Sequence, residues 1–157
     1  MGTGLLNVEQ FKARTIMPPA DVDYLETKFP GFLQTEIDEL TSYMESRLHK
    51  RYATPFSRVS PPYTAVRWLV SLVTERAYDK RGRNPTSEQD ARAIDGPADR
   101  ARDELKEAAD SVDGLFDLPL REDLPGSSGL TQGGTLAYSE ASPYDSLDRQ
   151  REAVRGD

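Results

Sequence analysis

Residues 65–78, AVRWLVSLVTERAY, are the most apolar stretch of the chain, and their reading decides the fold. Val66, Leu69, Val70, Val73 and Ala77 recur at spacings that return to one face of a helix, and Trp68 and Leu72 widen that face. A half-buried strand would instead alternate apolar and polar residues. The spacing predicts a helix over 62–81, the central and most buried one, with Pro61 or Pro62 in its first turn and Gly82 stopping it.

Working outward, the same period appears on either side. Leu33, Ile37, Leu40, Met44 and Leu48 make one stripe of a helix over 32–52. Ala91, Ile94, Ala98, Ala101, Leu105, Ala108 and Val112 make another over 88–112, capped by Thr86 or Ser87 and ended by Gly114. Pro97 lies inside that stretch, so a kink or break is expected at Asp95-Gly96-Pro97. Two short helices precede these. Asn7 with Gln10 reads as a capping box, and 21–29 is closed by Pro30-Gly31. TPFSRVSPP (54–62) is a proline-rich loop.

The expected fold is therefore mainly α, with a bundle of about three long helices and short N-terminal helices over 1–113. From 114 the periodicity fails. Short apolar pairs separated by Pro and Gly suggest extended segments or a small hairpin, and 142–154 suggest a final helix with Ser142 as cap. An isolated helix of that length is marginal in water and needs a surface to dock on. Residues 114–157 are thus expected to be an extended C-terminal arm.

Composition narrows the chemistry. Residues 1–83 hold 12 Lys/Arg and 10 Asp/Glu, whereas 84–157 hold 8 and 17, so the acidity lies in the second half. An acidic chain lacks the phosphate-neutralising surface that dominates nucleic-acid affinity. The absence of cysteine excludes disulfides and thiolate metal sites. No stretch approaches the roughly 20 apolar residues of a membrane span, and the N-terminus lacks a secretory h-region. A soluble protein made in the cytoplasm is expected.

No enzyme, cofactor or metal reading stands out. Glu45 and His49 are four apart on a helix, but His49 is the only histidine and sits in RLHKRY (47–52), which reads as a solvated face. A Ser–His–Asp arrangement would need that same histidine. The carboxylates of DRARDELKEAAD (99–110), Asp103 and Glu107 included, are spaced for pairing with Arg and Lys along an exposed helix. GSSGLTQGG (126–134) lacks the Lys-Ser/Thr end of a phosphate loop and reads as a flexible connector. Arg47, Lys50 and Arg51, and Lys80 and Arg81, sit at or near helix C-termini, where the helix dipole favours cations. They are also candidates for a charged flank between subunits.

The chain resembles the head–tail connector (adaptor) proteins of Mu-like and lambdoid tailed phages. The blocks that carry the likeness are NVEQFKARTIMP (7–18), DVDYLE (21–26), IDELTSYMESRLHKRYATPF (37–56), PPYTAVRWLVSLVTERAYDKRG (61–82), GLFDLPLRED (114–123) and YSEASPYDSLDRQ (138–150). Of these, RLHKRYATPF and the GLFDLPLRED…SEASPY tail are the more specific. The resemblance implies a structural virion protein of the phage neck, a homo-oligomeric ring, usually of twelve copies. Its partners would be the portal protein and a downstream neck or tail protein. DNA would pass through the channel without specific binding, and no membrane would be involved. The protein would assemble in the host cytoplasm.

On that footing the C-terminal arm would be ordered by other chains, offsetting about 1–2 kcal/mol of backbone entropy per residue. Tyr138, Pro143, Tyr144, Leu147 and Arg149 are its candidate anchors, the tyrosines giving large contact area at low rotamer cost. Carboxylates facing the channel would keep DNA from adhering. The alternative is a helical protein-binding module, outside any virion, whose C-terminal segment folds on a partner. A small hydrolase or transferase using helix-borne carboxylates is the third reading.

Overall fold

Among the described residues of the computed structural model (4–83, 88–111 and 117–122) five helices occur. In chain order they are α1 (Val8–Lys12), α2 (Pro19–Lys28), α3 (Phe32–Leu48), α4 (Tyr63–Arg81) and α5 (Glu88–Asp110). The fold is mainly helical, as the periodicities imply, and α4 packs against α2, α3 and α5. Its buried residues are Ala65, Val66, Trp68, Leu69, Leu72, Val73, Thr74 and Ala77, more than any other helix contributes. Each large apolar side chain buried in this way stabilises the fold by roughly 1.5–3 kcal/mol.

The N-terminal segment lids the α3 side of this core. Asn7 and Gln10 form the capping box in full: Asn7 Oδ1 accepts from Gln10 N at 2.8 Å and Gln10 Oε1 from Asn7 N at 3.0 Å. Phe11, Met17, Leu5 and Leu6 are buried against the bundle. Gly4 lets the chain approach α3 closely, since a Cβ there would stand 2.6 Å from Ile37 Cγ2. Its N–H instead donates to Asp38 Oδ1 at 2.8 Å. Gly31, at φ 79°, supplies the left-handed residue that starts α3.

Three features differ from the sequence expectations. In α3 the buried stripe is Leu33, Ile37, Thr41, Met44 and Leu48, with Leu40 only partly buried. Thr41 is tolerated inside because its hydroxyl accepts the Leu5 N–H at 3.1 Å. α3 also ends at Leu48 and not at residue 52. Tyr52 turns into the core, fully buried, where its hydroxyl donates to the Ala108 carbonyl at 3.2 Å. Lastly, α5 runs unbroken through Pro97. Both flanks of the proline are tied to the α4 side, by Arg83–Asp95 before it and Arg102–Glu75 after it, and Ala98, Ala101, Leu105 and Ala108 pack inward.

The ion pairs of α5 also reach further than along their own helix. Arg102 pairs with Asp99 one turn away, but also with Glu75 of α4, and Glu104 takes both Arg67 and the Trp68 indole N–H, the latter at 2.7 Å. Hydrogen bonding to Asp95 holds the Arg83 guanidinium above its ordinary range, and bonding to Glu75 does the same for Arg102. A raised folded-state pKa gives stability that is present below the unfolded value. These contacts therefore persist across all ordinary pH on the arginine side.

Residues 117–121 belong to the body. The compact unit is Met1–Arg121, so the 113/114 boundary read from sequence falls inside it. Leu118 is buried at 3% exposure, and Tyr52 and Leu120 form an isolated antiparallel bridge. Ala53 N donates to Pro119 O at 2.7 Å and Arg121 N to Arg51 O at 3.0 Å. Asp117 Oδ2 accepts the Thr64 N–H at 2.6 Å, so α4 receives its N-terminal cap from 53 residues away. Of the stretch expected to hold extended segments or a hairpin, residues 117–122 are described and carry an isolated bridge to Tyr52; the rest lies outside the described residues. The helix expected at 142–154 lies outside the described residues.

This docking has a measurable consequence. A chain ending at residue 122 is expected to unfold with the midpoint of the full chain. A chain ending at 113 should lose about 2–4 kcal/mol, from the buried Leu118 and the missing cap on α4. Denaturant titration of the two truncations checks this.

Candidate functional site

The apolar face of α4 is wide. Trp68, Leu69, Leu72 and Val66 lie in the core, while the partly buried Val70 and the exposed Tyr63 continue from Val66 at four- and three-residue steps along its edge. That edge floors a groove of about 590 Å³. One wall comes from Arg14 and Ile16 between α1 and α2, and another from Val59, Ser60 and Pro61 in the loop before α4. Ile94 and Pro97 of α5 close the far side.

The groove gathers most of the misplaced apolar surface. Of five large hydrophobic side chains exposed among the described residues, Ile16 (63%), Val59 (97%) and Tyr63 (75%) all line it. Scattered exposed apolar residues are ordinary, but a cluster around a concavity marks a contact site. Its base is rigid: the Thr74 hydroxyl donates to Val70 O at 2.7 Å and meets Thr15 Oγ1 at 2.8 Å, fixing the α1–α2 connection to α4. Among the described residues Arg14 and Arg67 are the charged members of the lining, and none is a carboxylate. Arg14 donates to the Gln10 carbonyl at 3.2 Å, and Arg67 pairs with Glu104.

The charged flank divides. Arg47, Lys50 and Arg51 lie at or just beyond the C-terminal end of α3. Lys80 stands 5.2 Å from the centre of the Phe32 ring, at the opposite end of that helix, and 4.5 Å from that of Phe29. Seventeen helical residues, roughly 25 Å, separate the two groups. Arg81 is engaged internally, bound to Asp21 of α2 at 2.9 Å, and Arg47 stacks on Tyr43. Lys50 is exposed, and the Arg51 Nε is buried with no hydrogen-bond partner among the described residues. The arm anchors Tyr138, Pro143, Tyr144, Leu147 and Arg149 lie outside the described residues.

Glu45 and His49 are both occupied in shaping the loop. Glu45 accepts from Phe56 N at 2.9 Å and pairs with Arg58 at 2.6 Å, while His49 Nδ1 meets Thr54 Oγ1 at 2.8 Å. Asp99, Asp103, Glu107 and Asp110 form an exposed acidic line along α5. No group of three His, Cys, Asp or Glu among the described residues is placed to hold a metal, and no described helix is long and apolar enough to cross a membrane. The groove itself was missed from sequence, though Val59 and Tyr63 flanking Pro61-Pro62 were a signal.

No family model, curated protein or solved structure matches this chain.

The exposed lining is dispensable for folding if it serves a partner. Val59→Ser with Tyr63→Ser is expected to change stability by no more than about 0.5 kcal/mol. Leu69→Ala, on the core face of the same helix, should cost about 2–5 kcal/mol. Urea denaturation of both variants distinguishes the faces.

Proposed function

We propose that this protein is a structural component of a tailed-phage neck, a ring of identical copies that joins the capsid portal to the tail and prolongs the DNA channel. The single observation that carries the reading is the apolar groove on α4, a preformed contact surface with Ile16, Val59 and Tyr63 exposed around it. The order of the sequence blocks quoted above supports it independently. So does the separation of surface character: an apolar groove on one side of α4, and an acidic line along α5.

In such a ring the Asp99, Asp103, Glu107 and Asp110 line is the candidate for the channel wall. Carboxylates there repel the phosphate backbone and let DNA slide past without binding. The basic end at Arg47, Lys50 and Arg51 is then available to an acidic surface of a neighbour, which favours head-to-tail closure. The protein would be found in the virion neck, after assembly in the host cytoplasm.

Mixing the purified chain with portal and weighing the product by mass photometry or native mass spectrometry tests the proposal. The expected result is a closed multimer on the portal. Truncation after residue 122 should abolish it while leaving the helical spectrum intact. A stable monomer or dimer that ignores portal would instead favour a helical protein-binding module.

A further inference from the structure

We propose that residues 117–121 form a strap whose docking sets one wall of the α4 groove, so that release of the strap switches the groove from a formed to an unformed contact surface. The device belongs to the single chain and needs neither a ring nor portal.

The wall is the loop before α4, and its groove-lining part is held through its two ends. Val59, Ser60 and Pro61 line the groove. Among the described residues their one hydrogen bond runs from Ser60 N to Ser57 Oγ at 3.2 Å, inside the loop itself. Val59 is 97% exposed, so packing does not fix it either. Upstream, Glu45 secures the loop at Phe56 N and Arg58. Downstream, the chain enters α4 at Tyr63, where the Thr64 N–H donates to Asp117 Oδ2 at 2.6 Å.

The strap grips both margins of this loop. Before it, Ala53 N donates to Pro119 O at 2.7 Å, Arg121 N to Arg51 O at 3.0 Å and Arg121 Nη1 to His49 O at 3.0 Å. After it, Asp117 holds the first turn of α4. Residues 117–121 thus bridge the stretch 53–62 from end to end, with partners 53 to 72 positions away in sequence.

The strap itself has little burial. Of residues 117–121 Leu118 alone is buried, and the Asp117 and Arg121 side-chain bonds are solvent-exposed. Its one β-type pairing among the described residues is the isolated bridge of Leu120 to Tyr52. A short segment of this kind opens locally ahead of the body. When it lifts, Asp117 leaves with it, the first turn of α4 loses its cap and the wall is freed at its downstream end. A partner that needs the wall in place then meets only the strap-docked form. By the same coupling, an occupied groove holds the strap down.

Nitroxide labels at Val59→Cys and Thr27→Cys follow the wall relative to α2, since both positions are exposed and the chain has no native cysteine. Double electron–electron resonance on the full chain is expected to give a narrow distance distribution. Leu118→Ser, at a position that does not line the groove, should broaden it about twofold. Labels at Thr27→Cys and Lys106→Cys, exposed on α2 and α5, should keep their width in the same variant. Asp117→Ala removes only the cap, should broaden the first pair in the same way, and answers the question where Leu118→Ser does not fold. A Val59–Thr27 width unchanged by these substitutions overturns the proposal. So does equal broadening of both pairs, which marks a general loosening of the body. Neither outcome involves assembly, so the neck reading stands or falls separately.

Discussion

Helix α4 carries more apolar surface than the rest of the described body covers, and most of the described structure is a response to that. Its core side is buried by α2, α3 and α5, and by the N-terminal segment through Thr15. Trp68, the largest buried side chain, fits because Glu104 accepts its indole N–H. Without that acceptor a donor would be left unsatisfied in the interior, at a cost of about 1–3 kcal/mol. The edge of that surface, from the buried Val66 through the partly buried Val70 to the exposed Tyr63, becomes the groove floor.

The ends of α4 are held from far away in sequence. Asp117 caps the first turn, and Arg81 and Arg83 secure the last, to Asp21 on one side and Asp95 on the other. The loop before it is shaped by Glu45, which holds both Phe56 N and Arg58. This bracing sets Val59 and Tyr63 outward on a firm frame. A contact surface presented in this way loses little entropy when a partner arrives.

Periodicity revealed the three long helices because each must hide one stripe, and Leu33, Ile37, Met44 and Leu48 or Ala98, Ala101, Leu105 and Ala108 can be read as such from spacing alone. It failed wherever a distant partner changed the local answer. Thr41 looks like a surface residue until Leu5 brings it a donor, and Pro97 looks like a break until its flanks are tied by Arg83 and Arg102. Residues 117–121 look like the start of the arm until Tyr52 and the first turn of α4 are seen to take them up. Of the candidate site, the basic residues were legible but their division onto two ends of α3 was not. That division depends on how α4 lies beside α3. The groove was illegible for a related reason: Val70 read as core on the same footing as Val66, and only the packing shows that its edge of α4 is the less covered one.

The central claim is that a neighbouring chain completes the surface of α4 in the assembled state. Hydroxyl-radical footprinting of the protein alone and in its complex with portal measures this at two tyrosines that are both exposed in the free molecule, Tyr63 on the groove and Tyr24 on α2. The expected result is strong protection of Tyr63 on assembly, with a smaller change at Tyr24. Equal labelling of Tyr63 before and after assembly would contradict the claim.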